Sequence, residues 1–249
     1  MVENCENVGE VSGETMVSGL VGHTWTDDAT IGLISNCCNF GKISGSNIGG
    51  VVGTAGINSG AKLTIDICEN KGEICGGAVG GGIVGLFTTT DKTNSGYTFI
   101  IKDCKNHGTV SNVGGDGKIA ANDAVGGIFG KKVSVGLELD SFIIQSCENT
   151  GFINAKSDVY AGGIAGYVLS TGTESIRISD CVNGGNINIM IADNYSEDDV
   201  KVYNYVGDIV GTAQDTVVIE NCSSGGKYAV TAGDAKRVVY QEMCGLVVN

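Results

Sequence analysis

A short motif recurs along the whole sequence and constrains the fold more than any other feature. The pattern Cys-x-Asn-x-Gly-x-[Ile/Val] occurs six times, and a seventh, weaker copy ends in Tyr228. The copies begin at Cys5, Cys37, Cys68, Cys104, Cys147, Cys181 and Cys222. Their cysteine-to-cysteine spacing runs from 31 to 43 residues. Self-similarity at this period indicates a solenoid in which each repeat is one coil.

Two further elements accompany each copy. A Gly-Gly-[Ile/Val/Leu]-x-Gly motif follows it, for example at 49–53 and 126–130, and a β-branched run such as Leu63-Thr64-Ile65 precedes each cysteine. Such runs are typical of strands separated by turns, and no segment has a helical period. We therefore predict one all-β domain over residues 1–249, a right-handed parallel β-helix (solenoid) of about seven coils with three short strands per coil.

The spacing within the first motif predicts what its residues do. The named positions share parity, so their side chains lie on one face of an extended strand, and Cys and Ile indicate that this face is the interior. Stacked coil on coil, the cysteines form one column and the asparagines another, in which each amide donates to the next. The glycine allows either a positive φ or a close approach of neighbouring chain, so that the coil turns there.

The ten cysteines follow the coil rather than a ligand geometry, because seven begin motif copies and no Cys-x-x-Cys occurs. Stacked neighbours have Cβ atoms about 4.8 Å apart, beyond the usual disulfide range of about 3.5–4.5 Å. We predict buried free thiols; occasional disulfides are the alternative, and zinc binding is disfavoured.

Composition excludes several classes of protein. The net charge is −13 and the 15 Lys and Arg residues are scattered, whereas nucleic-acid binding needs a clustered basic surface. No run of about 18 apolar residues occurs, which predicts no membrane insertion in this segment, and the N-terminus has no signal-peptide pattern. Val2-Glu3-Asn4-Cys5 repeats the 218–222 region, so we expect a fragment of a longer surface protein whose uncapped ends can self-associate end to end.

The combination of Cys-x-Asn-x-Gly-x-Ile with Gly-Gly-Ile-x-Gly resembles the GLUG-motif repeats, which are named for a Gly-Leu-x-Gly core. Gly19-Leu20-Val21-Gly22 is the closest match, Gly245-Leu246 is a partial one, and the resemblance spans essentially the whole chain. Proteins with such repeats are typically large secreted or surface-anchored bacterial proteins, including adhesins and some immunoglobulin A peptidases, in which the repeats are not the catalytic part. The resemblance implies an extracellular or cell-surface location and an adhesive or spacer role, and it supplies no binding residues.

Three functions compete for such a solenoid, and the sequence favours a non-catalytic structural or adhesive module. The alternative is an enzyme that resembles β-helix polysaccharide lyases or hydrolases, which use matched carboxylates on adjacent coils. The outward positions Glu69, Lys71, Lys105, Glu148 and Val182 show neither a carboxylate ladder nor an aromatic sugar platform. The second alternative is an ice-binding solenoid, but its Thr-x-Thr rows do not recur here.

We predict no catalytic, cofactor-binding or metal-ligating residues. His23 and His107 lie in no nucleophile motif, and the Gly-x-Gly-x-x-Gly match at 80–85 lacks the following helix that a dinucleotide site needs.

Contact with a host glycan or protein is predicted at the two long insertions, residues 112–122 and 190–205. The second insertion holds Tyr195, Tyr203 and Tyr205 beside acidic residues. Tyrosine suits such surfaces because its ring is large, rigid and amphipathic.

Overall fold

The protein is a stack of coils in which every described strand pairing is parallel. The computed structural model describes residues 1–27, 29–58, 60–89, 96–112, 123–133, 141–156, 159–169, 174–190, 204–214, 216–232, 238–241 and 247–248. Its strands form four sheets, which each coil visits in the order 1, 2, 3, 4. The described residues contain no helix, so none of them forms a helical membrane span. The prediction of a parallel β-helix of about seven coils is confirmed.

Each sheet collects one side of successive coils. Sheet 1 contains β1 (Val2–Glu3), β6 (Ile31–Ser35), β10 (Lys62–Asp66), β14 (Thr98–Lys102), β19 (Ser141–Gln145), β24 (Ser175–Ser179) and β29 (Val217–Glu220). Sheet 2 contains β2 (Glu6–Asn7), β7 (Cys38–Asn39), β11 (Glu69–Asn70), β15 (Lys105–Asn106), β20 (Glu148–Asn149), β25 (Val182–Asn183) and β30 (Ser223–Ser224).

The other two sheets carry the second motif. Sheet 3 contains β3 (Val11–Ser12), β4 (Val17–Ser18), β8 (Ile43–Gly49), β12 (Ile74–Gly81), β16 (Val110–Asn112), β17 (Asp123–Gly126), β21 (Ile153–Lys156), β22 (Val159–Gly162), β26 (Ile187–Met190), β27 (Asn204–Gly207), β31 (Tyr228–Ala232) and β32 (Val238–Gln241). Sheet 4 contains β5 (Val21–Thr26), β9 (Val52–Ile57), β13 (Val84–Thr88), β18 (Phe129–Val133), β23 (Ala165–Val168), β28 (Val210–Gln214) and β33 (Val247–Val248).

The prediction of three strands per coil is wrong, because each coil passes through four sheets. The strands of sheet 2 are only two residues long, too short to show a period of their own in the sequence. The chain turns at the motif glycine, so one motif copy contributes its Asn to sheet 2 and its final Ile or Val to sheet 3. In the fourth coil, for example, Asn106 belongs to β15 and Val110 begins β16.

Close approach of neighbouring coils explains the motif glycines. A Cβ atom on Gly108 would lie 1.9 Å from the carbonyl oxygen of Gly72, and one on Gly185 would lie 1.9 Å from that of Gly151. Neither Gly108 nor Gly185 adopts a positive φ. Of the two explanations that the sequence left open, the structure therefore selects the close approach.

The motif asparagines form the predicted column. Asn39, Asn70, Asn106, Asn149 and Asn183 are fully buried. Each Nδ2 group from Asn7 to Asn149 donates to the Oδ1 atom of the next asparagine at 2.7–2.9 Å. The same Nδ2 group also donates to the carbonyl oxygen of its own motif glycine at 2.8–3.0 Å. Both amide protons are thus hydrogen-bonded, so the buried amides do not incur the free-energy cost of unsatisfied polar groups.

The two motifs meet in the interior. A Cβ atom on Gly82 would lie 2.4 Å from Cγ of Asn106, and one on Gly127 would lie 2.3 Å from Cγ of Asn149. The buried apolar residues form two clusters, one between sheets 1 and 4 and one behind sheet 3. The co-occurrence of the motifs therefore has a steric reason: the second motif leaves room for the asparagine of the first.

The motif cysteines form a second column at the corner between sheets 1 and 2. Cys37, Cys68, Cys104, Cys147 and Cys181 are buried, and all nine cysteines of the described residues are free. Each thiol in the column donates to the carbonyl oxygen two residues earlier, as in the 3.1 Å contact from Cys104 to Lys102. Burial raises the pKa of Cys104 and Cys147. The prediction of buried free thiols is confirmed for the five buried cysteines, whereas Cys5, Cys38, Cys75 and Cys222 are free but only half-buried. Cys244 lies outside the described residues.

The residue before each motif cysteine adopts a left-handed conformation that the sequence did not reveal. Asn4, Asn36, Ile67, Asp103, Ser146, Asp180 and Asn221 all have φ between 51° and 56°. Asn and Asp tolerate this region, whereas a β-branched residue is strained there. Ile67 is the β-branched member of the row, and its side chain is 54% exposed.

We expect Ile67→Asn to stabilise the protein by about 1 kcal/mol, because it removes the steric penalty of a β-branched residue at positive φ. On the two preceding coils, Asn36 Nδ2 already donates to Asn4 Oδ1 at 2.7 Å. An asparagine at position 67 would continue the same row of residues. Urea denaturation measures the change. Ile67→Val keeps the branch and is the matched control; an equal gain from Val would refute the steric explanation.

Candidate binding face

The second motif brings the outer faces of sheets 3 and 4 together. A Cβ atom on Gly81, at the end of β12, would lie 1.9 Å from the carbonyl oxygen of Val84, at the start of β13. The chain therefore folds sharply back at this corner. As a result, outward side chains of the two sheets contact each other, as Tyr160 on β22 and Tyr167 on β23 do with ring centroids 5.0 Å apart.

Three tyrosines and a lysine cluster at this corner, and we call Tyr160, Tyr167, Tyr205 and Lys131 the tyrosine cluster. Tyr160 and Tyr205 are register partners on adjacent coils. Their rings are stacked, with centroids 5.6 Å apart and planes inclined by 13°. The Lys131 ammonium lies 5.1 Å from the centroid of the Tyr167 ring, within the range of a cation–π contact. All four side chains are half-buried.

The environment of the cluster sets the charge of its members. Burial raises the pKa of Tyr160 and of Tyr167, so both hydroxyls stay protonated and can donate and accept hydrogen bonds. Burial lowers the pKa of Lys131, and the nearby Asp123 carboxylate opposes this shift. The cluster thus combines flat apolar rings with neutral hydroxyls and one basic group.

One register row on sheet 4 contains two members of the cluster. His23, Thr54, Leu86, Lys131, Tyr167 and Thr212 follow one another in register from β5 to β28, and of these Thr54 and Thr212 are buried. At the first coil, Trp25 is 39% exposed and its ring centroid lies 5.9 Å from that of His23. Four coil steps, or about 19 Å, separate β5 from β23. Aromatic side chains therefore stand at two separate places along sheet 4, with the buried Thr54 between them.

The predicted binding insertions connect strands of this same region. Residues 113–122 link β16 to β17, and residues 191–203 link β26 to β27, the strand that carries Tyr205. Of the predicted loops 112–122 and 190–205, all but Asn112, Met190, Asn204 and Tyr205 lie outside the described residues, as do Tyr195 and Tyr203.

Sequence reasoning identified Tyr205 but missed Tyr160, Tyr167 and Lys131. A signal was present, because Tyr160 and Tyr205 both stand two residues before the first glycine of the second motif. Alignment on that motif places them in one outward row. Tyr167 and Lys131 had no such signal, since their contacts depend on how the two sheets meet.

Two carboxylates on sheet 2, those of Glu69 and Glu148, pair with lysines. Glu69, Lys105, Glu148 and Val182 stand in one outward register row. Lys71 Nζ lies 2.7 Å from Glu69 Oε2, and Lys105 Nζ lies 3.4 Å from Glu148 Oε2. The hydrogen bond from Lys71 lowers the pKa of Glu69. These acids are held as ion pairs, unlike the acid pair of a glycosidase, in which one carboxyl must stay protonated.

A cavity of about 320 Å³ adjoins this row and is lined by Cys38, Phe40, Ile67 and Lys71, among others. Burial raises the pKa of Cys38, so its thiol is not activated as a nucleophile. His107 Nδ1 is bonded to Thr150 Oγ1 at 2.7 Å on the neighbouring coil. Across the described residues, no three His, Cys, Asp or Glu side chains come together as a metal site.

No family model and no curated protein matches the chain. Among solved structures, a crystal structure of a Bacteroides ovatus protein provisionally named an immunoglobulin A1 protease matches at 22% sequence identity with a TM-score of 0.49. The match covers 90% of this chain and 68% of that one. The resemblance to GLUG repeats therefore rests on the repeat motifs themselves.

Proposed function

We propose that this chain is a non-catalytic, glycan-contacting β-helix module of a secreted or cell-surface protein. In this proposal the stacked coils form a rigid rod, and the tyrosine cluster with the adjoining insertions forms the contact face. The extracellular location and the adhesive role come from the resemblance to GLUG repeats. The choice of a glycan as the ligand rests on the chemistry of the tyrosine cluster.

The tyrosine cluster is the observation that supports glycan binding best. Sugar rings present one apolar face and a rim of hydroxyl groups, which suits aromatic rings that carry polar tips. Tyr160 and Tyr205 are stacked in register on adjacent coils, and their backbones are fixed by sheet hydrogen bonding. A rigid platform loses little conformational entropy on binding. Lys131 adds a positive charge, which favours acidic over neutral sugars.

The ion pairing on sheet 2 supports the non-catalytic part of the proposal. A glycoside hydrolase needs one protonated and one ionised carboxyl on either side of the scissile bond. Glu69 and Glu148 are each paired with a lysine instead. The hydrogen bond from Lys71 lowers the pKa of Glu69, which disfavours the protonated form that a general acid needs.

An array of neutral and acidic oligosaccharides, probed with the labelled chain, tests this function. We expect binding to acidic glycans, and we expect Tyr160→Ala and Tyr205→Ala each to weaken it about tenfold, the loss of about 1.4 kcal/mol of contact energy. Tyr160→Phe should retain most of the binding because it keeps the ring.

Phe152→Ala is the matched control for these variants. Phe152 is another surface aromatic, 50% exposed, which directly precedes β21 and is not a member of the cluster. Equal weakening by Phe152→Ala would remove the tyrosine cluster from the proposal. Cleavage of an acidic polysaccharide by the purified chain, abolished by Glu69→Gln or Glu148→Gln, would overturn the non-catalytic function itself.

A further inference from the structure

Three polar side chains meet inside the corner that joins sheet 4 to sheet 1. Lys132 lies on β18, while Tyr97 and Glu174 directly precede β14 and β24. Lys132 occupies the interior position that Phe87 and Val168 hold in the adjacent coils. The side chains of Lys132 and Glu174 have no solvent exposure, and Tyr97 is 2% exposed. An amine and a carboxyl group are thus enclosed together in the core.

Their contacts hold the two groups in a defined geometry. Lys132 Nζ donates to Glu174 Oε1, and the Tyr97 hydroxyl donates to Glu174 Oε2. Lys132 Nζ also donates to the carbonyl oxygen of Leu169 at 3.3 Å. The Phe142 ring centroid lies 5.8 Å from the same nitrogen. Lys132 Nζ is therefore positioned beside one oxygen of the Glu174 carboxyl group, while the Tyr97 hydroxyl holds the other oxygen.

The surroundings of the pair are aromatic and dry. Four fully buried rings, with contacting centroids 4.5–5.4 Å apart, form one aromatic cluster: Phe87, Phe99, Phe129 and Phe142. This cluster contacts Lys132 through Phe142 and Tyr97 through Phe87. Condensation needs a neutral amine and a protonated acid, which form when one proton passes from the ammonium to the carboxylate, and an apolar site reduces the cost of that transfer because it stabilises neither charge. A neutral, desolvated lysine is a nucleophile. The pair therefore holds both reactants of an amide condensation.

We propose that Lys132 and Glu174 form an intramolecular isopeptide bond. Lys132 Nζ attacks Cδ of the protonated Glu174 side chain, and the Tyr97 hydroxyl stabilises the negative charge that develops on Oε2. The Cδ–Oε1 bond then breaks, and the Oε1 hydroxyl takes a proton from the nitrogen and departs as water. One N–C bond replaces one C–O bond, and nothing is oxidised or reduced.

Proximity and burial favour this condensation. Two groups held in contact react at effective concentrations of up to about 10⁵–10⁸ M. The product is an uncharged amide, so the bond also removes a buried ion pair whose desolvation is costly. It joins residues 42 positions apart, linking sheet 4 of one coil to the following corner of the next. Closing such a loop restricts the unfolded chain as a disulfide does.

Mass spectrometry of the denatured, reduced full chain tests the proposal independently of glycan binding. We expect the mass to be lower than that of the sequence by one water molecule, and a proteolytic digest to contain a branched peptide that joins Lys132 to Glu174. Lys132→Met should show its full sequence mass. Lys105→Met, which removes an exposed lysine on sheet 2, should still lose water.

Tyr97→Phe distinguishes a reacting cluster from a structural one. This variant keeps the ring and the amine–carboxyl pair but loses the hydroxyl at Oε2, so the lower-mass form should accumulate more slowly after refolding. A wild-type chain with its full sequence mass and no branched peptide overturns the proposal, even if Lys132→Met fails to fold. A branched peptide that uses another carboxyl group overturns it as well.

Discussion

Asn106→Ala should lower the free energy of unfolding by at least about 2–6 kcal/mol, because two side-chain groups of the asparagine column lose a partner at about 1–3 kcal/mol each, and the Gly108 carbonyl oxygen loses its Asn106 donor as well. Asn70 Nδ2 loses its acceptor, and Asn149 Oδ1 loses its donor, both from contacts of 2.7 Å. Neither group can reach water, since both residues are fully buried. Urea denaturation of the wild type and the variant measures the loss.

Asn154→Ala is the matched control for the asparagine column. Asn154 belongs to a second row on the outer face of sheet 3, where Asn188 donates to it at 2.9 Å. It is half-buried, so water can replace its partners and the loss should stay below about 1 kcal/mol. If both variants are destabilised equally, the buried column has no special part in stability.

Gly185→Ala should destabilise the protein by about 3 kcal/mol or prevent folding, because the added methyl group meets backbone rather than a movable side chain. Its Cβ atom would lie 1.9 Å from the Gly151 carbonyl oxygen and 2.8 Å from Asn149 Nδ2. Two adjacent coils must separate to accept it, which stretches both the sheet 2 ladder and the asparagine column. Thermal unfolding followed by circular dichroism measures the effect.

The neighbouring glycine provides the control for this substitution. A Cβ atom on Gly184 would have its nearest neighbour at 3.7 Å, an ordinary contact, and its φ is not positive. Gly184→Ala should therefore leave stability unchanged or raise it by a few tenths of a kcal/mol, because Ala restricts the unfolded chain more than Gly does. A large loss at Gly184 would show that the steric account of the motif is wrong.

The repeat alone was sufficient to predict the solenoid and its two buried columns. Every motif copy must make the same contacts with its neighbours, so a residue such as Asn106 or Cys104 is constrained in the same way in each coil. That constraint is visible as periodicity. The number of sheets was missed because a strand of two residues, such as Lys105–Asn106, shows no alternation. The left-handed residue before each cysteine was missed because the row includes Ile67 and Ser146, residue types that do not favour a positive φ.

The repeat points to only part of the candidate sites, the row of Tyr160 and Tyr205, because the other members are residues that depart from the repeat. Lys132 stands where adjacent coils have Phe87 and Val168, and its partners Tyr97 and Glu174 are 35 and 42 positions away. Nothing in the linear sequence joins these three residues.

The repeat pattern is enough to identify a stacked solenoid, since a coil that must stack on copies of itself fixes its interior through local spacing. Which non-repeated side chains meet follows only from the folded chain, because those contacts depend on the corners between sheets. The corner between sheets 3 and 4 brings Tyr160 to Tyr167, and the corner between sheets 4 and 1 encloses Lys132 with Glu174. Stacking repeats one set of contacts in every coil, whereas the corners bring together residues that occur once.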